Sequence, residues 1–87
     1  MMSILSTIDL GNKKYAIGEE HFYIFDIAGH ELDRFPLQLV GSGGGLNNGE
    51  YFDYTFYFPN SDKIIFSKEP NLTDFVNAFH NQKAKYI

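Results

Sequence analysis

Residues 51–58 read YFDYTFYF, and this run decides the fold. Apolar and polar positions alternate with a period of two, the pattern of a strand with one buried face. Phe52, Tyr54, Phe56 and Phe58 share one face and are expected in the core. Tyr51, Asp53, Thr55 and Tyr57 share the other and are expected in solvent. Pro59-Asn60-Ser61-Asp62 reads as a turn by composition, and Lys63–Phe66 runs back as the partner strand.

Working outward, Pro70 breaks the chain and Asn71 is a good N-cap residue, with Asp74 three positions on as in a capping box. Leu72, Phe75, Val76 and Phe79 then follow the i, i+3, i+4, i+7 spacing of an apolar helix stripe. The spacing predicts a helix over roughly 71–82. Lys83 and Lys85 are expected just past its C-terminus, where the helix dipole favours positive charge.

Upstream, Ser3–Leu10 alternates as a strand, and Gly11-Asn12 turns it into a short second strand over Lys14–Gly18. His21–Ile27 is apolar on both faces and is expected in the centre of a sheet. Ala28-Gly29 turns the chain, and Glu31–Val40 returns with Phe35, Leu37 and Leu39 on one face. Pro36 lacks a backbone donor, so this strand is expected at an edge or with a bulge. Residues 41–49, GSGGGLNNG, carry Gly41, Gly43, Gly44, Gly45, Asn48 and Gly49 and are expected as a flexible inter-strand loop. Asn48-Gly49 is the pair favoured in type I′ hairpins. The fold class is α+β and mostly β: about six antiparallel strands in a bent sheet or open barrel, closed by one C-terminal helix, in one domain over residues 1–87.

Composition agrees with that size. A chain of 87 residues buries only about 60–65% of its unfolded surface, so its nine Phe and six Tyr belong largely to one core. Seven Lys and Arg stand against eleven Asp and Glu, a net charge of −4. That balance argues against a nucleic-acid binder and against attraction to an anionic membrane. Residues 1–62 hold Lys13, Lys14 and Arg34 against nine acids, so the bulk of the chain is acidic and its end mildly basic. There is no cysteine, which removes disulfides, thiol chemistry and cysteine zinc sites. The opening MMSILSTIDLG lacks the charged and apolar regions of a signal peptide, and no stretch approaches the roughly 20 apolar residues of a membrane helix. A cytoplasmic location is expected.

No motif carries chemistry. The glycine run departs from G-x-G-x-x-G, has no lysine for a P-loop, and precedes a strand where an anion site needs a helix N-terminus. His21, His30 and His80 have no paired ligand spacing and are expected at the surface, so no metal or cofactor is expected. Ser42 lacks the flanking pattern of a nucleophile elbow. Glu19, Glu20, Asp26 and Asp33 leave a small hydrolase as an alternative of low weight, since so short a chain has little room for a deep pocket. The tyrosines carry more information, because exposed tyrosines on a rigid strand are typical of interaction surfaces. Tyr51, Asp53, Tyr57 and Tyr23 are the candidate partner-binding residues.

From Tyr15 to Gln82 the layout resembles the bacterial pleckstrin-homology-like domains. The matching stretches are KYAIGEEHFYIFD, HELDRFPLQLV with its Phe35-Pro36-Leu37 step, YFDYTFYFPNSDKIIF and the closing NLTDFVNAFHN. The resemblance implies two sheets packed roughly orthogonally, a helix plugging an open barrel, and binding without catalysis. Some members hold phosphoinositides through basic residues near the first hairpin, where this chain has only Lys13 and Lys14. The stretch VGSGGGLNNGEYFDYTFYF through LTDFVNAF is also similar to the end of SMI1/KNR4-type immunity proteins. The expectation is a non-enzymatic module that binds a protein partner, as a monomer or paired through an edge strand into a homodimer. The alternative is a small acidic inhibitor, a toxin-immunity or phage anti-defence protein that masks a basic enzyme.

Overall fold

Seven antiparallel strands form two sheets in a computed structural model that describes residues 4–86. The expected start at Ser3 lies outside the described residues. The first sheet holds β1 (Ile4–Leu10), β2 (Lys13–Gly18), β3 (His21–Asp26) and β4 (Glu31–Pro36), neighbouring in chain order. The second holds β5 (Gly41–Asn47), β6 (Glu50–Tyr57) and β7 (Lys63–Ser67), also in chain order. A 3-10 turn over Leu37–Leu39 links the sheets, and α1 (Leu72–Lys83) closes them, followed by a 3-10 turn over Ala84–Tyr86. The α+β class and the bent, mostly β architecture hold, and the two sheets are not closed into a barrel.

The core lies where the inner faces of both sheets meet the helix. Ile8, Tyr15, Ile17, Phe22, Ile24 and Phe35 come from the first sheet. Tyr54, Phe56, Phe58 and Phe66 come from the second, and Leu72, Phe75, Val76 and Phe79 from α1. Phe56 is the hub: its ring lies 5.1 Å from Phe22, 5.0 Å from Phe79 and 5.7 Å from Phe75. The edge-on approach to Phe75 and Phe79, with interplanar angles of 89° and 80°, sets the positive ring edge against the negative face. Phe35 and Phe58 stack at 4.8 Å and join the sheets at the opposite end.

Five expectations need correction. First, the glycine run is a strand. Gly41–Asn47 pairs in register with β6, so the strands number seven and the expected loop shrinks to its last two residues. Asn48 and Gly49 have φ of 53° and 82°, the two successive positive values of the anticipated I′ turn. Glycine is required here by contact. A Cβ on Gly44 would meet the backbone of Asp53 and lie 2.7 Å from Tyr54 Cα, and one on Gly45 would lie 2.7 Å from the Phe52 ring.

Second, the return strand ends at Pro36, as the outer strand β4 of its sheet. Its continuation is the 3-10 turn, so Leu37 is buried while Leu39 stands 56% exposed. Third, Asn71 sits at the helix N-cap in a left-handed conformation, φ 65°, and its side chain makes no capping bond. Its carbonyl accepts from Phe75, which starts the helical ladder, and no capping box forms with Asp74. Fourth, Lys83 belongs to the last turn of α1, where its ammonium donates to the Val40 carbonyl. That bond ties the helix end to the residue before β5. The fifth departure concerns Phe52 and belongs with the site.

Candidate functional site

Directly paired residues share a face, so the β5–β6–β7 register defines the outer surface of the second sheet. Tyr57 pairs with Gly41 and Lys63, Thr55 with Gly43 and Ile65, and Asp53 with Gly45 and Ser67. The core rings point to the opposite side. The outer face therefore carries glycines on β5, Asp53, Thr55 and Tyr57 on β6, and Ile65 on β7. Tyr57 is 50% exposed and Ile65 54% exposed. No other element of the described residues pairs with β5 or with β7 on its far side.

A bulge changes the parity of β6. Gly45 pairs with Asp53 but the next residue, Leu46, pairs with Tyr51, which leaves Phe52 without a partner on β5. An inserted residue reverses the alternation beyond it. Phe52 thus leaves the core stripe to which alternation assigned it, stands 46% exposed, and lays its ring over Gly45. Its carbonyl accepts from the Lys68 amide at 2.8 Å. Tyr51 turns inward instead. It packs against the core, its ring meets Tyr54 edge-on at 5.0 Å, and its amide donates to Thr73 Oγ1 of the helix at 2.9 Å.

The four residues singled out from sequence therefore divide. Asp53 and Tyr57 lie together on the outer face of the second sheet. Tyr51 lies on its inner side, half-buried. Tyr23 sits on the first sheet and is only 7% exposed. Its ring stacks on Phe25 at 6.0 Å, and the Arg34 guanidinium covers it at 5.2 Å. Arg34 is held there by Glu31 through two hydrogen bonds of 2.8 and 3.0 Å. Those bonds also hold the Glu31 carboxyl below its ordinary pKa and the Arg34 guanidinium above. Phe52 and Ile65 join the surface without having been anticipated. Ile65 was readable from Lys63–Phe66, since alternation puts it opposite Ile64 and Phe66. Phe52 carried no such signal, because bulges leave no composition mark.

The β5–β6 pairing is held by side chains as well as backbone. The Gly45 amide donates to Asp53 Oδ1 at 2.7 Å. On the inner side, the Tyr54 hydroxyl donates to Ser42 Oγ at 3.0 Å and lies 2.7 Å from His80 Nε2 on the helix. Which of the two groups donates in the Tyr54–His80 bond is set by the imidazole tautomer. Desolvation raises the Tyr54 pKa. Partial desolvation, and then the neighbouring Lys83 ammonium, lower that of His80.

Elsewhere, His30 bonds Asp26 in the turn after β3, and the His30 amide is the first cause of a lowered Asp26 pKa. Among the described residues no three His, Asp or Glu side chains converge as a metal site, and no helix is long and apolar enough to cross a membrane. Against known proteins, no family model, no curated protein and no solved structure matches the chain.

Proposed function

We propose that the chain is a non-enzymatic binding module that meets a protein partner through the second sheet. The observation that carries this reading is the outer face of β5–β6–β7, where Phe52, Tyr57 and Ile65 stand about half exposed among the described residues. Large aromatic and aliphatic side chains on rigid strands bring contact area at low entropic cost, which suits a partner surface.

Affinity capture from the native host, followed by titration of the purified partner, tests the reading. Tyr57→Ala combined with Ile65→Ala is expected to weaken that partner at least about tenfold, the loss of one or two buried contacts. Leu32→Ala, on the first sheet, is expected to leave it unchanged. Equal affinity for the double variant and the wild type would remove the assignment.

A second reading, the acidic inhibitor of a basic enzyme, draws on charge. From residue 35 to residue 62 there is no Lys or Arg, while Glu50, Asp53 and Asp62 are present. A complementary cationic surface is favoured by such a stretch. Titration against enzymes encoded beside its gene separates the readings: inhibition that weakens with salt favours the inhibitor, and unaltered activity of every one removes it.

A further inference from the structure

Two sheets have four outer strands, and three of them are guarded. β4 carries Glu31, Asp33 and Arg34 and ends at Pro36, the charge and proline that protect an edge. β1 has α1 packed against it and a register break between Ile4 and Ser6. β7 is only five residues long and is bounded by Lys63 and by Lys68, whose φ is 54°.

β5 is less protected, and the register break beside it, between Gly45 and Leu46, has its extra residue, Phe52, on β6. β5 itself is seven residues long, uncharged and free of proline. Gly43, Gly44, Leu46 and Asn47 are exposed. Antiparallel geometry turns both backbone polar groups of alternate residues away from the paired neighbour. One side of β5 therefore offers donors and acceptors that β6 does not use. The strand is also held in extended form, because Asp53 fixes the Gly45 amide and Ser42 is tied through Tyr54 to His80. A partner strand meets an edge already ordered, which lowers the entropic cost of pairing.

We infer that β5 is a docking edge that takes an extended, basic segment of another protein as an added antiparallel strand. This rests on the binding-module reading and gives its mode and its partner's chemistry. Charge selects the occupant. The β5–β6 hairpin contains Glu50 and Asp53 and no cation, so a strand flanked by Lys or Arg is favoured. A second copy of this chain would bring its own Glu50 and Asp53 to the same seam, adding like charge to a chain already at −4.

The test uses the full chain, labelled with nitrogen-15, and a short synthetic peptide with lysine at each end and phenylalanine alternating with threonine between. Two further peptides carry N-methyl groups on alternate amides, or glutamate in place of lysine. The lysine peptide is expected to shift the amides of β5 and slow their exchange. N-methylation is expected to weaken it about tenfold or more, since several backbone hydrogen bonds are lost together. Glutamate ends weaken it too. Gly43→Lys, whose Cβ meets nothing within 4 Å, preserves the fold and is expected to abolish binding.

Equal binding of the N-methylated peptide, or shifts confined to Tyr57 and Ile65, overturns the edge while leaving a face-binding module intact. A concentration-dependent dimer with β5 protected before any peptide is added overturns the choice of occupant. Failure of every peptide to bind also overturns the edge. Whether the module reading falls with it is read from the Tyr57 and Ile65 double variant against the native partner.

Discussion

The Gly45 amide donates to the Asp53 carboxylate at 2.7 Å across the β5–β6 pairing, one position from the bulge at Phe52. A charged acceptor on a half-buried amide is worth more than an ordinary ladder bond, about 1.5–3 kcal/mol. Asp53 is thus a brace for β5 before it is a contact for any partner.

Asp53→Ala leaves that amide without its acceptor and is expected to cost about 1–3 kcal/mol. Urea unfolding measures the loss, and hydrogen exchange of residues 43–47 locates it. Asp53→Asn keeps an acceptor oxygen and is expected to recover most of the difference.

The glycines of β5 differ in what they tolerate. Gly44→Ala places a methyl group against the Asp53 backbone and Tyr54, and is expected to destabilise by about 1–3 kcal/mol. Gly43→Ala points into open space and is expected to be neutral, or to stabilise by up to about 1 kcal/mol through lower chain entropy in the unfolded state. Paired denaturation curves decide, and equal midpoints for the two variants would contradict the assigned register.

Phe56 touches rings from the first sheet, from β7 and from the helix. Phe56→Ala is expected to cost about 3–5 kcal/mol, much of the margin of so small a domain. Thermal unfolding followed by near-ultraviolet circular dichroism measures it.

His80 gives the stability a pH dependence of known sign. Its folded pKa lies below the ordinary 6.5, so the unfolded chain takes up the proton first. Its contribution is complete above that pH and declines as pH falls through 6.5 toward the folded value. A separate decline follows at lower pH, where Asp26 and Glu31, with folded pKa values below 3.8 and 4.5, lose their partners' benefit. His80→Gln is expected to remove the first decline and leave the second. Unfolding free energies across that range read both.

Much of the core was legible because alternation and helical spacing both arise from burial. Tyr54, Phe56, Phe58, Phe75 and Phe79 all lie where their periods put them. The glycine strand was illegible for a physical reason. Its ordering comes from neighbours, the rings of Phe52 and Tyr54 and the Asp53 carboxylate, while its own composition favours disorder. The same cause hid the exchange of Tyr51 and Phe52, since one unpaired residue reversed the alternation. Tyr23 was misjudged because Arg34, contributed by another strand, covers it.

The proposed binding surface is the second sheet, with β5 at its rim. A photo-reactive phenylalanine analogue placed at Gly43, where there is open space, tests it most directly in the native host. The same group at Leu32 on the first sheet serves as the reference. One discrete protein adduct is expected from position 43, absent from position 32 and suppressed by Tyr57→Ala with Ile65→Ala. An adduct formed from position 32 alone, or equally from both positions, would contradict it.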